Sequence, residues 1–173
     1  MEQIAIYTIL SIALGAASYM DLKVAKIPNL VTFPLVAVGL MFHAMMNGLD
    51  GLVFSAKGCG IGFGFLILLY AVGGFGAGDV KLVAATGSLL GPSAIVSAIF
   101  MAALVGGFCA LGLLMCRLGL RGTAQWLLSF LKMLLLLGGK LPSLPSGERR
   151  LALRYAPVFA LGTLISLTWY TNS

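Results

Sequence analysis

The chain has 173 residues, 60% of them apolar and 9% charged, with a mean hydropathy of +1.06. Soluble domains carry about 25% charged residues, so the charges here are too few to coat a water-facing surface and the bilayer becomes the main solvent. The net charge of +6 does not indicate nucleic acid, because the basic residues sit at the ends of apolar runs, where they orient a membrane protein and meet anionic lipid. The length suits a single membrane-embedded domain over residues 1–173.

A helix needs about 20 apolar residues to cross the hydrocarbon core, fewer where the bilayer thins. The first candidate covers residues 4–20. Met1-Glu2-Gln3 lacks the basic start of a secretory signal and more apolar segments follow, so this helix is expected to be retained, although Gly15-Ala16-Ala17-Ser18 imitates a cleavage site. A polar stretch over 21–29 leads to a second candidate, 30–46, with Pro34 tolerated near its start. Asn47-Gly48-Leu49-Asp50-Gly51 reads as a turn.

The third candidate, 53–75, contains Gly58, Gly60, Gly62 and Gly64. No strand precedes these glycines and no lysine-serine pair follows, so they are not a phosphate loop. Gly58/Gly62 and Gly60/Gly64 have the small-xxx-small spacing that lets helix backbones approach in lipid. Gly76-Ala77-Gly78-Asp79-Val80-Lys81 then interrupts the apolar run. A short helix over 82–90 ends at Gly91-Pro92, and the next, 93–116, closes with Arg117 and Arg121.

In the segment 121–139, Arg121, Gln125, Ser129 and Lys132 fall at helical spacing, the pattern of an amphipathic helix lying in the interface. The last span is 156–170. The expected fold is all-α: a polytopic bundle of about six transmembrane helices plus one interfacial helix. With that count, Lys23, Lys26, Lys81, Arg117, Arg121, Lys132, Lys140, Arg149, Arg150 and Arg154 share one side with Asp21 and Asp79, and Lys57 alone falls opposite. Such a bias makes their side cytoplasmic and puts the N-terminus outside.

Cys59, Cys109 and Cys116 lie in apolar stretches with no CxxC pair, and His43 has no neighbouring ligand, so neither a metal site nor a disulfide framework is expected. Small apolar packing suffices for the cysteines. The chain has five acidic residues. Glu2 at the terminus, Asp50 in an outer turn and Glu148 in a polar loop need only solvated roles. Asp21 ends the first span and Asp79 separates the third from the fourth. Carboxylates at such depth are costly, and each could simply cap a helix end.

Their convergence on one side suggests more. Two carboxyl groups within hydrogen-bonding reach share a proton. The ionised one can take a proton from water attacking an amide, while the protonated one stabilises the oxyanion and supplies the leaving nitrogen's proton. No cofactor is required. Gly76 and Gly78 can adopt backbone angles closed to other residues and let a substrate strand approach. Lys81, two residues past Asp79 and so on another helix face, is placed to snorkel to the interface. A small ion-coupled transporter using Asp21 and Asp79 as a relay fits the same carboxylates, although no repeated halves or paired broken helices accompany them. A non-catalytic component of a secretion machine is a third reading.

Phe75-Gly76-Ala77-Gly78-Asp79-Val80-Lys81 resembles the GxGDxK signature of the type IV prepilin peptidases, a branch of the GxGD membrane aspartyl proteases. Asp21 with Lys26-Ile27-Pro28-Asn29 is similar to that family's first catalytic aspartate and downstream Ile-Pro-Asn. Tyr155-Ala156-Pro157 and Ala160-Leu161-Gly162 are similar to a C-terminal element of the family, with Arg154 standing where a proline usually precedes the tyrosine.

The resemblance implies an aspartic endopeptidase with Asp21 and Asp79 as catalytic pair and Gly76, Gly78, Lys81, Pro28 and Asn29 shaping the site. Its substrate would be the basic leader of a Flp-like type IV prepilin, cut at the cytoplasmic face of a bacterial inner membrane. Its partners would be the prepilin, membrane lipid and the pilus assembly machinery. Larger members carry a domain with two CxxC pairs and also methylate the new N-terminus. These residues contain no such pairs, which implies a compact peptidase of the Tad/Flp type without the methyltransferase activity.

Overall fold

The structure, a computed structural model, describes residues 2–24, 27–71, 75–135 and 155–171. Lys26, Lys140, Glu148, Arg149, Arg150, Arg154 and the stretch 136–139 lie outside the described residues, as do the side chains of Glu2, Arg117 and Lys132. All regular structure among the described residues is helical: α1 (Glu2–Val24), α2 (Asn29–Ala71), α3 (Ala77–Leu135) and α4 (Tyr155–Thr171). By length and composition, α2 and the 77–116 part of α3 are apolar and long enough to cross a membrane.

The two long helices are broken where the sequence carries turn residues. In α2 the break is at Asn47 (φ −129°, ψ 17°) and Gly48 (φ 59°, ψ −135°), within the expected turn. The positive φ at Gly48 is a conformation that glycine adopts without Cβ strain. In α3, Gly91 (φ 78°) precedes Pro92, and Gly119 (φ 68°) follows Arg117. The chain divides into two compact units, one of residues 1–106 and 154–173, the other of 107–153.

In the first unit the 77–90 arm of α3 is the central element. Every residue from 82 to 91 is buried. Other helices enclose it on all sides, and that enclosure accounts for how an arm this short holds its place. Its neighbours approach through glycines. A Cβ at Gly58 would collide with the Gly87 carbonyl, and one at Gly62 would lie 2.7 Å from the Val83 carbonyl oxygen.

These contacts run antiparallel, 58 against 87 and 62 against 83, whereas the 29–46 arm runs parallel to 77–90, with Asn29 beside Lys81 and Gly39 beside Ser88. Gly60 and Gly64 have open space around them. Two residues along a helix is about 200° of rotation, so the second glycine pair points away from the interface that the first one makes. α4 packs along α1, and its Gly162 abuts the Ala102 backbone while Val158 lies by Gly106.

The break at Gly91-Pro92 leaves backbone carbonyls to be satisfied. Proline has no N–H for the carbonyl four residues back, that of Ser88. Ser55 Oγ donates to that oxygen instead, at 2.7 Å. His43 Nε2 donates to the adjacent Leu89 carbonyl at 2.9 Å, and because a carbonyl only accepts, the proton is on Nε2. The His43 ring packs edge-on against Phe42 and Phe54. His43 is thus a buried link between helices. Cys109 and Cys116 are exposed on their helix and Cys59 is half-buried.

The second unit contains the remainder of α3. Thr123 Oγ1 donates to the Gly119 carbonyl at 2.8 Å, occupying an acceptor at the second break. Arg121, Gln125 and Ser129 are exposed along the helix that follows.

The glycine contacts separate two otherwise similar substitutions. Gly58→Ala puts a methyl against backbone atoms that cannot rotate away, and is expected to cost about 1–3 kcal/mol as overpacking. Gly60→Ala meets nothing and should leave stability equal or slightly raised through helix propensity. Thermal unfolding midpoints in detergent measure the difference.

Candidate active site

Asp79 lies in the first turn of α3, so the helix begins at Ala77 and takes in residues that the glycines of the sequence suggest as a break. The N–H groups of Asp79 and Val80 both donate to the Gly76 carbonyl, at 3.1 and 3.3 Å. Gly76 is therefore the N-cap residue, and Asp79 Oδ2 reaches back to accept from the Gly76 N–H at 3.0 Å. This is the carboxylate half of a capping box. The positive end of the helix dipole also favours an acid there.

Gly76 and Gly78 are not among the glycines with positive φ, so they do not serve by unusual backbone angles. They serve by closeness. A Cβ at Gly76 would lie 3.2 Å from Asp79 Oδ2, and one at Gly78 would lie 3.2 Å from Ile27 Cβ. The first turn of α3 thus packs directly on the connection between α1 and α2.

Asp21 has the opposite problem. It lies in the last turn of α1, at the negative end of its own helix, and is only 8% exposed. A second helix compensates. Oδ2 accepts from the Ala156 N–H at 3.3 Å, one of the amides that the first turn of α4 leaves without an internal partner. A carboxylate disfavoured by one helix end is held by the start of another.

Asn29 opens α2, and its Oδ1 accepts from Lys81 Nζ at 2.9 Å. The same ammonium lies 5.6 Å from the centre of the Phe33 ring, within cation–π range. Lys81 does not simply reach for the interface. Its charge ties the Asp79 helix to the start of α2, because residues at 81 and 29 lie beside each other in two helices running the same way. The Pro28 carbonyl accepts from the Val31 N–H at 3.1 Å, and Met20, Val24, Ile27, Pro28 and Asn29 line an open depression next to Asp21.

The first unit therefore brings Asp21, Asp79, Gly76, Gly78, Lys81, Pro28 and Asn29 to one end of the helices. Asp21 and Asp79 are within electrostatic reach of each other. Each carboxylate gives Oδ2 to a backbone amide, and Oδ1 has no hydrogen bond among the described residues. The arrangement offers two carboxyl oxygens for a water, a proton or a polarised carbonyl. Tyr155 joins the group: its ring meets Phe75 edge to face at 4.5 Å, and it too is within electrostatic reach of Asp79.

Residues 8–111, more than half of the chain, match the type IV leader peptidase family. A prepilin leader peptidase/N-methyltransferase of Aeromonas hydrophila is 33% identical over 116 residues, covering 63% of this chain and 40% of that protein. One from Neisseria gonorrhoeae is 35% identical over 105 residues, covering 57% of this chain and 36% of its own length. The chain thus spans about two-fifths of the length of the relatives it matches. No solved structure matches it. The matched stretch contains Asp21, the Ile27-Pro28-Asn29 connection and Asp79, the residues that the helices gather at one end, and the chain belongs to the type IV leader peptidase family.

Proposed function

We propose that this chain is an aspartic endopeptidase embedded in the bacterial inner membrane, which removes the basic leader from a Flp-like type IV prepilin. The observation that carries the reading is that Asp21 and Asp79 stand at one end of the helical unit, each with an Oδ1 that has no hydrogen bond among the described residues, in a chain of this family. One carboxylate, ionised, takes the proton of a water attacking the scissile carbonyl. The other, protonated, donates to the developing oxyanion and then returns a proton to the leaving amine. Lys81 and Asn29 hold the first turns of α3 and α2 side by side. Gly78 leaves the room that the approach of Ile27 needs.

Six antiparallel crossings, with 121–139 lying in the interface, would put this end of the helices at the cytoplasmic face. That is where a basic leader remains after the apolar part of a prepilin has entered the bilayer. The large apolar side chains exposed on the helices, such as Phe33, Phe65, Leu68, Phe100 and Phe108, suit contact with lipid. The ion-relay reading has no support from the family or its relatives.

Purified chain incubated with a prepilin should cleave it. Asp21→Asn and Asp79→Asn should each lower the rate by about 10²–10⁴-fold or more, since asparagine can neither activate water nor pass on a proton. The double substitution should be hardly worse than either single one, because members of one catalytic unit are not additive. Rate against pH should be bell-shaped, with limbs that belong to the coupled pair. Asp50→Asn and Glu148→Gln should retain activity. Normal cleavage by Asp79→Asn would remove the aspartyl mechanism.

Topology is checked separately. A reporter fused after Lys26 or Lys140 should read cytoplasmic, and one at Asp50 external. An external signal at Lys140 would mean that 121–139 crosses the bilayer.

A further inference from the structure

Tyr155 opens α4 and touches both halves of the site. On one side its ring meets Phe75 edge to face, at 4.5 Å and 88°. Phe75 directly precedes Gly76, whose N–H is held by Asp79 Oδ2. On the chain side, the next residue is Ala156, whose N–H is held by Asp21 Oδ2. The ring also stacks on Phe159 one turn later, at 6.0 Å and 24°, and Phe159 is fully buried. Further along α4, Gly162 lies against the Ala102 backbone, which limits any sliding of the helix.

The path from one carboxylate to the other is therefore continuous. It runs from Asp21 to the Ala156 amide, through Tyr155 to Phe75, and on to Gly76 and Asp79. We propose, on the aspartyl reading above, that Tyr155 is a positioning residue whose ring clamps the Phe75-Gly76 connection to the start of α4 and so sets the spacing of the two aspartates. The ring does this work and the hydroxyl takes no part in the reaction. Edge-to-face pairs of this kind stabilise beyond their buried area, and so can hold a loop in register. Ordinary core packing would predict a different result, a loss of folded protein with unchanged turnover per folded molecule.

The test uses the full chain in detergent with a prepilin substrate, measuring kcat, KM and the thermal midpoint of each variant. Tyr155→Phe should remain within about threefold of the parent, because the ring is kept. Tyr155→Ala and Phe75→Ala should each lower kcat by about tenfold or more with KM nearly unchanged, since misplacement of reacting groups by about 1 Å has costs of this order. The double substitution should fall little below the worse single one.

Phe75→Leu, which keeps apolar bulk, replaces the alanine variants if they fail to fold, and should also lower kcat. Loss of activity in Tyr155→Phe equal to that in Tyr155→Ala would overturn the proposal by making the hydroxyl essential. Normal kcat per folded molecule in Tyr155→Ala or Phe75→Leu would overturn it as well. Asp79→Asn, run alongside, separates the two levels: if it is inactive while the ring variants turn over normally, only the clamp fails. If Asp79→Asn is as active as the parent, the aspartyl reading itself fails.

Discussion

The arrangement depends on a helix with no outward face. Residues 82–91 are all buried, so the neighbouring helices must surround them, and their backbones come close enough only where Gly39, Gly58 and Gly62 lack a side chain. Once the arm is enclosed, its two ends have fixed environments. At one end a proline break leaves carbonyls that Ser55 and His43 satisfy. At the other, Gly76 and Asp79 close the first turn on each other, and Lys81 reaches across to Asn29. Asp79 is therefore held at the mouth of the helix by packing set far from it.

Asp21 is placed by a different balance. Its own helix ends unfavourably for a negative charge, and the start of α4 supplies an amide and the positive end of a dipole in return. Neither aspartate is free of structural duty, and a capping role is compatible with the catalytic role proposed for each. One oxygen of each carboxylate caps a helix, and the other has no hydrogen bond among the described residues. A cap also serves the proposed chemistry, because it fixes a carboxylate's orientation before substrate arrives.

Much of this was legible in the sequence. Asn47-Gly48 and Gly91-Pro92 carry their breaks in residue type, and the spacing of apolar runs around Asp21 and Asp79 brings both to one end. What could not be read depends on faces and partners. Gly60 and Gly64 have the same spacing as Gly58 and Gly62, and only the position of the 77–90 arm decides which pair meets a neighbour. Lys81 and Asn29 are 52 residues apart and meet because two arms run parallel, which no local pattern signals. His43 looked unpartnered because its acceptor is a backbone carbonyl, and those have no signature of their own. Tyr155 matters through a ring contact and a neighbouring amide, and its sequence signal was only the likeness of its surroundings to a family element.

The α1–α2 connection meets the first turn of α3 at Ile27 and Gly78, and this contact carries the two aspartates to one end of the helices. A disulfide measures this directly. With Cys59, Cys109 and Cys116 replaced by serine, Ile27→Cys is combined with Gly78→Cys, where an added Cβ would lie 3.2 Å from that of residue 27. That is close to the spacing of about 3.5–4.5 Å between disulfide-bonded Cβ atoms. Mild oxidation in native membranes should cross-link this pair rapidly, and should leave a control of Ile27→Cys with Gly60→Cys unlinked. A 27–78 pair that cross-links no faster than the control would mean that the α1–α2 connection and the start of α3 do not meet.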